Sequence, residues 1–240
     1  MITDWDAGKL PQGYYTQSGT VLKRRESSKD GQSLLLFMRD LGPRWVQAPA
    51  ASGKNRFGGA AEPLVWSEYN LYQSPSALYL KGAEVREDFI ELRSSAESLM
   101  TALGFYRLIS GVVMTAQESN ELLKILWSAM TLLRGGTPPA ITDFRFTWRL
   151  LNALGLAPSL TQCVLCGSVL DGGAVWTEDG LACAKCSAGA EYLSAAELSD
   201  VRSAALLPYE KFISWSKARD DFEIYHKQAK KLITFFGEIR

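Results

Sequence analysis

Four cysteines, standing as Cys163-Val164-Leu165-Cys166 and Cys183-Ala184-Lys185-Cys186, constrain this chain more than any other feature. Sixteen residues separate the two pairs, a spacing at which two C-x-x-C turns share one zinc ion. Each turn aims two thiolates at one point, and two turns close a tetrahedron with Zn–S distances of about 2.3 Å. Gly167 follows the first pair and suits the positive φ that such a turn often needs. Between the pairs, Gly172 to Trp176 and Glu178 to Leu181 predict a short hairpin with Asp179-Gly180 as its turn signal. The expectation is one structural Zn2+ held by Cys163, Cys166, Cys183 and Cys186. Residues 159–190 carry few large apolar side chains, so ligation supplies folding free energy that burial cannot.

Other uses of the cysteines fit less well. Two disulfides suit an exported chain, but Met1 to Leu10 has neither a basic nor an apolar signal region, so a cytoplasmic location is expected. A thioredoxin-like pair opens a helix in a βαβ unit, which the pattern does not predict. A catalytic zinc keeps a position open and usually recruits His; the sole His, His226, lies forty residues on and reads as a solvated helix residue. A thiol-redox enzyme using Cys163 and Cys166 stays open as an alternative, and it requires reactive thiols at neutral pH.

Ahead of the cysteines the pattern changes once. Short strands are predicted at Thr20–Arg25, Gln32–Arg39, Pro43–Gln47, Glu62–Gln73 and Ala77–Lys81, divided by Gly- and Pro-bearing turns. Five short strands in this space suggest a small OB-fold barrel. From Val85 through Phe89, Leu92, Ala96, Leu99 and Leu103 the apolar spacing is helical. Further helices are predicted over about 118–133, 141–154 and 220–236, with Asp220-Asp221 as an N-terminal charge pair. Another opens at the capping box Ser194-Ala195-Ala196-Glu197 and breaks at Pro208. The apolar stretch 99–116 has Arg107 at its centre and reads as a core helix rather than a membrane span. The predicted class is α+β: an N-terminal five-stranded OB-fold barrel over 1–83, then an α-helical domain over 84–158 and 191–240, with a four-cysteine zinc ribbon inserted at 159–190.

Enzyme signals are scarce: one His leaves little room for a His-based triad, and neither a P-loop nor a dinucleotide fingerprint is present. Charge is more informative. The chain has 26 Lys and Arg against 26 Asp and Glu, so only a local patch can serve a charged partner. Residues 20–59 carry a net charge of +5 and residues 84–125 a net of −3. A basic barrel with aromatic side chains suits single-stranded nucleic acid, whose phosphates pair with cations while its bases stack. The candidates are Lys23, Arg24, Arg25, Arg44, Lys54, Arg56 and Phe57. If Leu22 points inward, strand alternation turns Val21, Lys23 and Arg25 outward; of the adjacent Arg44 and Trp45, Arg44 is expected on the groove and Trp45 in the core.

Several segments together resemble the RecO family of bacterial recombination mediators. They are Gly19-Thr20-Val21-Leu22-Lys23-Arg24-Arg25, the Gly-rich loop from Ser52 into Glu62-Pro63-Leu64, and Phe146-Thr147-Trp148-Arg149-Leu150-Leu151 running through Gly155-Leu156-Ala157-Pro158 into the first cysteine pair. The resemblance spans nearly the whole chain and is weakest over about the last forty residues. It implies an OB-fold, a helical domain and an inserted zinc finger. It also implies binding and annealing of single- and double-stranded DNA without enzymatic turnover. Implied partners are RecR and the C-terminal tail of single-stranded-DNA-binding protein, in aid of RecA loading, in the cytoplasm at the nucleoid. This chain differs from the family pattern at Gly42-Pro43-Arg44 and Gln47-Ala48-Pro49-Ala50-Ala51. The alternative is an interaction scaffold of the repair complex with weak or no DNA contact of its own.

Overall fold

A computed structural model describes residues 10–27, 31–49, 57–112, 116–188, 192–220 and 222–235. Two compact units divide between Arg134 and Gly135.

The first unit begins with β1 (Gly13–Ser27), β2 (Gly31–Met38), β3 (Gly42–Pro49), β4 (Trp66–Gln73) and β5 (Leu78–Glu87). They close a barrel in the order β1-β2-β3-β5-β4, with antiparallel pairs throughout except for β3 against β5. This is the expected OB-like barrel. β1 starts earlier than Thr20 because Gly13 to Gly19 pairs with β4, a partner that local sequence does not announce. Gly19 is required there: a Cβ would come within 2.1 Å of the Phe37 carbonyl oxygen.

The barrel core gathers Val21, Leu34, Leu36, Val46, Tyr69 and Leu71 among others. β2 is buried on both faces from Leu34 to Met38, as an uninterrupted apolar run in a strand requires. Its outward face is covered by helix α2 (Ala116–Arg134), which packs on β2 and β3, while α1 (Ala96–Gly111) packs on β1. Thr20 fixes α1 to the wall. Its hydroxyl donates to the Val65 carbonyl (2.8 Å), so the buried Tyr106 hydroxyl donates to Thr20 (2.8 Å). Burial keeps the Tyr106 proton on well above the usual tyrosine range. Trp127 of α2 meets Trp66 and Phe89 edge-on, at 4.8 and 5.3 Å.

The helical period expected from Val85 is not a helix there. β5 continues to Glu87 with Val85 exposed, a 3-10 turn spans Ile90–Ser94, and α1 starts at Ala96, its N-cap Ser95 accepting from the Ser98 amide. Cross-strand pairing with Ser67 decides the matter over local spacing. Arg107 is exposed on α1, and no described helix is long and apolar enough to cross a membrane.

The second unit contains α3 (Pro139–Ala153), α4 (Ala195–Leu206), α5 (Tyr209–Ser216) and α6 (Glu223–Thr234). α3 packs on α4 and α6. The capping box forms as expected, with Ser194 and Glu197 bonding reciprocally. α5 was not foreseen; it starts directly after Pro208, whose fixed φ suits a helix entry. Between α3 and α4 lie β6 (Ala174–Thr177), β7 (Gly180–Ala182) and β8 (Tyr192–Leu193), in the order β7-β6-β8. The expected hairpin is β6–β7; the third strand is an addition.

Candidate metal centre and the basic barrel wall

The two cysteine turns converge. The four Sγ atoms lie within 4.8 Å of one another, and those of Cys166 and Cys183 are 3.9 Å apart. A tetrahedron with Zn–S of about 2.3 Å has S–S edges of about 3.8 Å, whereas a disulfide needs about 2.05 Å, so the spacing suits a shared metal ion. Backbone bonds build each turn. The Gly167 amide donates to the Cys163 carbonyl (2.9 Å), with Gly167 at φ +73°, and the Cys186 amide donates to the Cys183 carbonyl (3.0 Å). The Cys183 amide donates to Cys163 Sγ (3.2 Å), tying one turn to the other.

These donors set the charge on sulfur. The Cys183 amide foremost pulls the Cys163 thiol down to about 6, and the Ser168 hydroxyl foremost lowers Cys166. Cys186, hydrogen-bonded to Cys166 and Cys183, keeps its proton up to about 12. Such splitting is what four crowded thiols show when they share protons, and a divalent cation would replace those protons. Cys163, the most acidic thiol, is buried, while Cys166 and Cys186 are exposed. All four thiols converge on one point, so the arrangement serves a ligand set better than a thiol nucleophile.

Two residues that the sequence reading missed hold this module within its unit. Arg202 of α4 donates through Nε to the Leu160 carbonyl (2.6 Å) and through Nη2 to the Leu170 carbonyl, one on each flank of the first turn. Trp176 of β6 donates its indole N–H to Gln228 of α6 (2.5 Å). Both pairings join positions more than thirty residues apart, so no local signal could have revealed them. His226 is exposed, as expected.

Among the described residues, the basic candidates lie on different sides of the barrel wall. A register shift between Val21 and Lys23 breaks the alternation of β1. Val21, expected outward, is therefore in the core, and Leu22 is buried beside it. After the shift, Lys23 and Arg25 share the outward side with their partners Leu35 and Ser33. Arg24 takes the side of Leu34 and, past the edge of the core, meets Glu62 (2.5 Å) and Gln32 (3.2 Å). Arg44 and Trp45 exchange their expected places. Arg44 stands opposite core Leu36, half-buried, and its Nε donates to the Leu41 carbonyl; burial lowers its proton affinity. Trp45 is outward, with the Arg25 guanidinium 4.3 Å from its ring. Phe57 is buried in the barrel core rather than presented on a loop. Lys54 and Arg56 lie outside the described residues.

A family model described as "Recombination protein O C terminal" matches residues 93–219, which takes in α1 to α5 and the cysteine segment. A DNA repair protein RecO of Desulforamulus reducens is 30% identical over 155 residues, 64% of this chain and 60% of that protein. One from an Exiguobacterium species is 28% identical over 155 residues, 64% of this chain and 62% of that protein. Another, from Alkaliphilus metalliredigens, is 24% identical over 209 residues, 80% of this chain and 85% of that protein. The matches to the first two span about three fifths of those relatives' own length.

Proposed function

This chain belongs to the RecO family of DNA repair proteins, and from that membership we propose that it is a non-catalytic recombination mediator. In this reading it binds single- and double-stranded DNA, anneals complementary strands, and helps RecR load RecA onto strands coated with single-stranded-DNA-binding protein, whose C-terminal tail it holds. It works in the cytoplasm at the nucleoid. The observation that carries the reading is an OB-like barrel with Lys23 and Arg25 on one exposed side of β1, in a chain of this family. Arg24 and Arg44 add positive charge to the same barrel. Phe57, being buried, contributes by packing.

The four cysteines hold one Zn2+ in this reading. Cys163, Cys166, Cys183 and Cys186 would hold the ion, which would tie the two turns together, and Arg202 and Trp176 anchor the module within its unit. Metal analysis of the purified chain is expected to give one zinc per chain. Four freely titrating thiols and no metal would refute it.

Direct DNA binding is tested by fluorescence anisotropy of a labelled oligonucleotide at rising salt, because phosphate pairing releases counterions and the affinity must fall as salt rises. Folded protein that fails to bind even at low salt sinks the reading. One observation favours a scaffold with weak DNA contact: Arg24 is already engaged by Glu62 and Gln32. Charge reversal at Lys54 and Arg56 discriminates, since it abolishes DNA binding but spares binding of an acidic partner peptide.

A further inference from the structure

We propose that the outer wall of β1, β4 and β5 is a stacking platform for unpaired nucleotides, built on a cross-strand row of three tyrosines. Tyr14 pairs with Tyr72 across β1 and β4, and Tyr72 with Tyr79 across β4 and β5. Leu71, Leu78 and Leu80 occupy the core, so alternation turns Tyr72 and Tyr79 outward. The row is about 10 Å long, two strand spacings. The rings of Tyr14 and Tyr72 are 4.9 Å apart and tilted by 52°. Gln12 donates to the Tyr72 hydroxyl (3.0 Å) and steadies that ring by its edge.

The cation comes from an irregularity in the sheet. A register shift opposite Asn70 and Leu71 leaves Lys81 as an extra residue of β5. Its ammonium group lies 5.5 Å from the Tyr72 ring and 5.7 Å from that of Tyr79. The cross-strand row also runs on from Tyr79 to Gln47, then Ser33, then Arg25. It therefore links the tyrosines to the exposed cation of β1 around the part of the barrel away from Leu35 and Phe37.

A tyrosine row can exist only to stabilise a sheet, since aromatic cross-strand pairs contribute about 0.2–1 kcal/mol. Tyr14, however, is 78% exposed, so most of its ring packs on none of the described residues. Tyrosines also serve protein-docking faces, but the neighbours here are the polar Thr16, Asn70 and Gln47, with Lys81 beside the rings. Exposed aromatic faces with a cation beside them match the two parts of a nucleotide, base and phosphate. A base inserted between two rings needs about 7 Å, twice the 3.4 Å rise of stacked bases, so at 4.9 Å the bases lie on the outer ring faces. Their phosphates then come within reach of Lys81.

The inference rests on the DNA-binding reading above but names a different surface, so the two can fail separately. The test titrates a labelled oligothymidylate with the full chain and with Tyr72→Ala, Tyr72→Phe, Tyr14→Ala and Lys81→Ala, at several salt concentrations, with circular dichroism to verify folding. Tyr72→Ala is expected to weaken binding about tenfold at every salt, and Tyr72→Phe to bind as the parent does. Lys81→Ala is expected to lower the salt slope by about 0.7, the share of one phosphate contact. If Tyr72→Ala unfolds, Tyr14→Ala carries the test, because that side chain is mostly exposed. Parent affinity retained in Tyr72→Ala and Tyr14→Ala overturns the platform and leaves DNA binding standing. A parent chain that binds no oligonucleotide at any salt overturns both.

Discussion

Arg145 offers the sharpest test of how the second unit is held together. It lies on α3 with 2% of its surface exposed, and its charge faces backbone rather than a carboxylate. One guanidinium nitrogen donates to the carbonyls of Ala204 (2.8 Å) and Ala205 (3.4 Å), and the other to that of Leu207 (2.7 Å). These carbonyls end α4, where the helix leaves acceptors unpaired and where a cation is favoured. The guanidinium also sits 4.1 Å over the Phe212 ring. Burial, then Arg149 nearby, pull its proton affinity down to about 9, so it stays charged at neutral pH. Arg145→Met keeps the stem and deletes the donors. The two short bonds are worth about 1.5–3 kcal/mol each and the ring contact about 1–2, against which several kcal/mol of guanidinium desolvation are recovered. The net expectation is a loss of about 3 kcal/mol, which for a unit of this size lowers its melting temperature by roughly 12 °C or more. Urea titration followed by circular dichroism measures it. A loss below about 1 kcal/mol would show that desolvation cancels the bonds and that α4 needs no cap from α3.

Three further outcomes are expected. Cys163→Ser should abolish stoichiometric metal and lower thermal stability, read by metal analysis and calorimetry; unchanged stability would show that the ion does not hold the second unit. Asp143 titrates at about 6 in the folded chain because it is buried, with His226 opposing the shift. The folded state thus keeps a proton that the unfolded chain gives up near 4. Stability should fall by about 2–3 kcal/mol as pH rises from about 4 to about 6, and Asp143→Asn should flatten that part of a melting-temperature profile. Ser194→Ala removes the N-cap of α4 and should cost about 1 kcal/mol by urea titration; no change would mean that Glu197 alone suffices to start the helix.

Features written in a few adjacent residues were legible in advance. The cysteine spacing, Gly167, the Ser194–Glu197 box and the apolar run of β2 depend on backbone chemistry over a turn or a strand. They gave the four-cysteine cluster, the helix start and the barrel's buried wall, and with the Phe146–Cys166 segment they pointed to the family. The places of Val21, Arg44 and Trp45 on the barrel were not legible. Lys23 and Arg25 face outward as alternation predicts, but one extra residue in β1 moves Val21 inward, and the registers of β2 and β3 put Arg44 on the core side and Trp45 outside. Side-chain direction in a strand reverses with each residue, so a single bulge, fixed by pairing across the barrel, overrides any pattern read along one strand. The same holds for Tyr14: it stands far from Tyr72 and Tyr79 in the chain and becomes their neighbour only when β1 closes on β4. Sequence alone determined which chemistry this protein carries; closure of the barrel and packing of the helices decided which of those groups share a surface, because contact over fifty residues or more is a property of register and not of spacing.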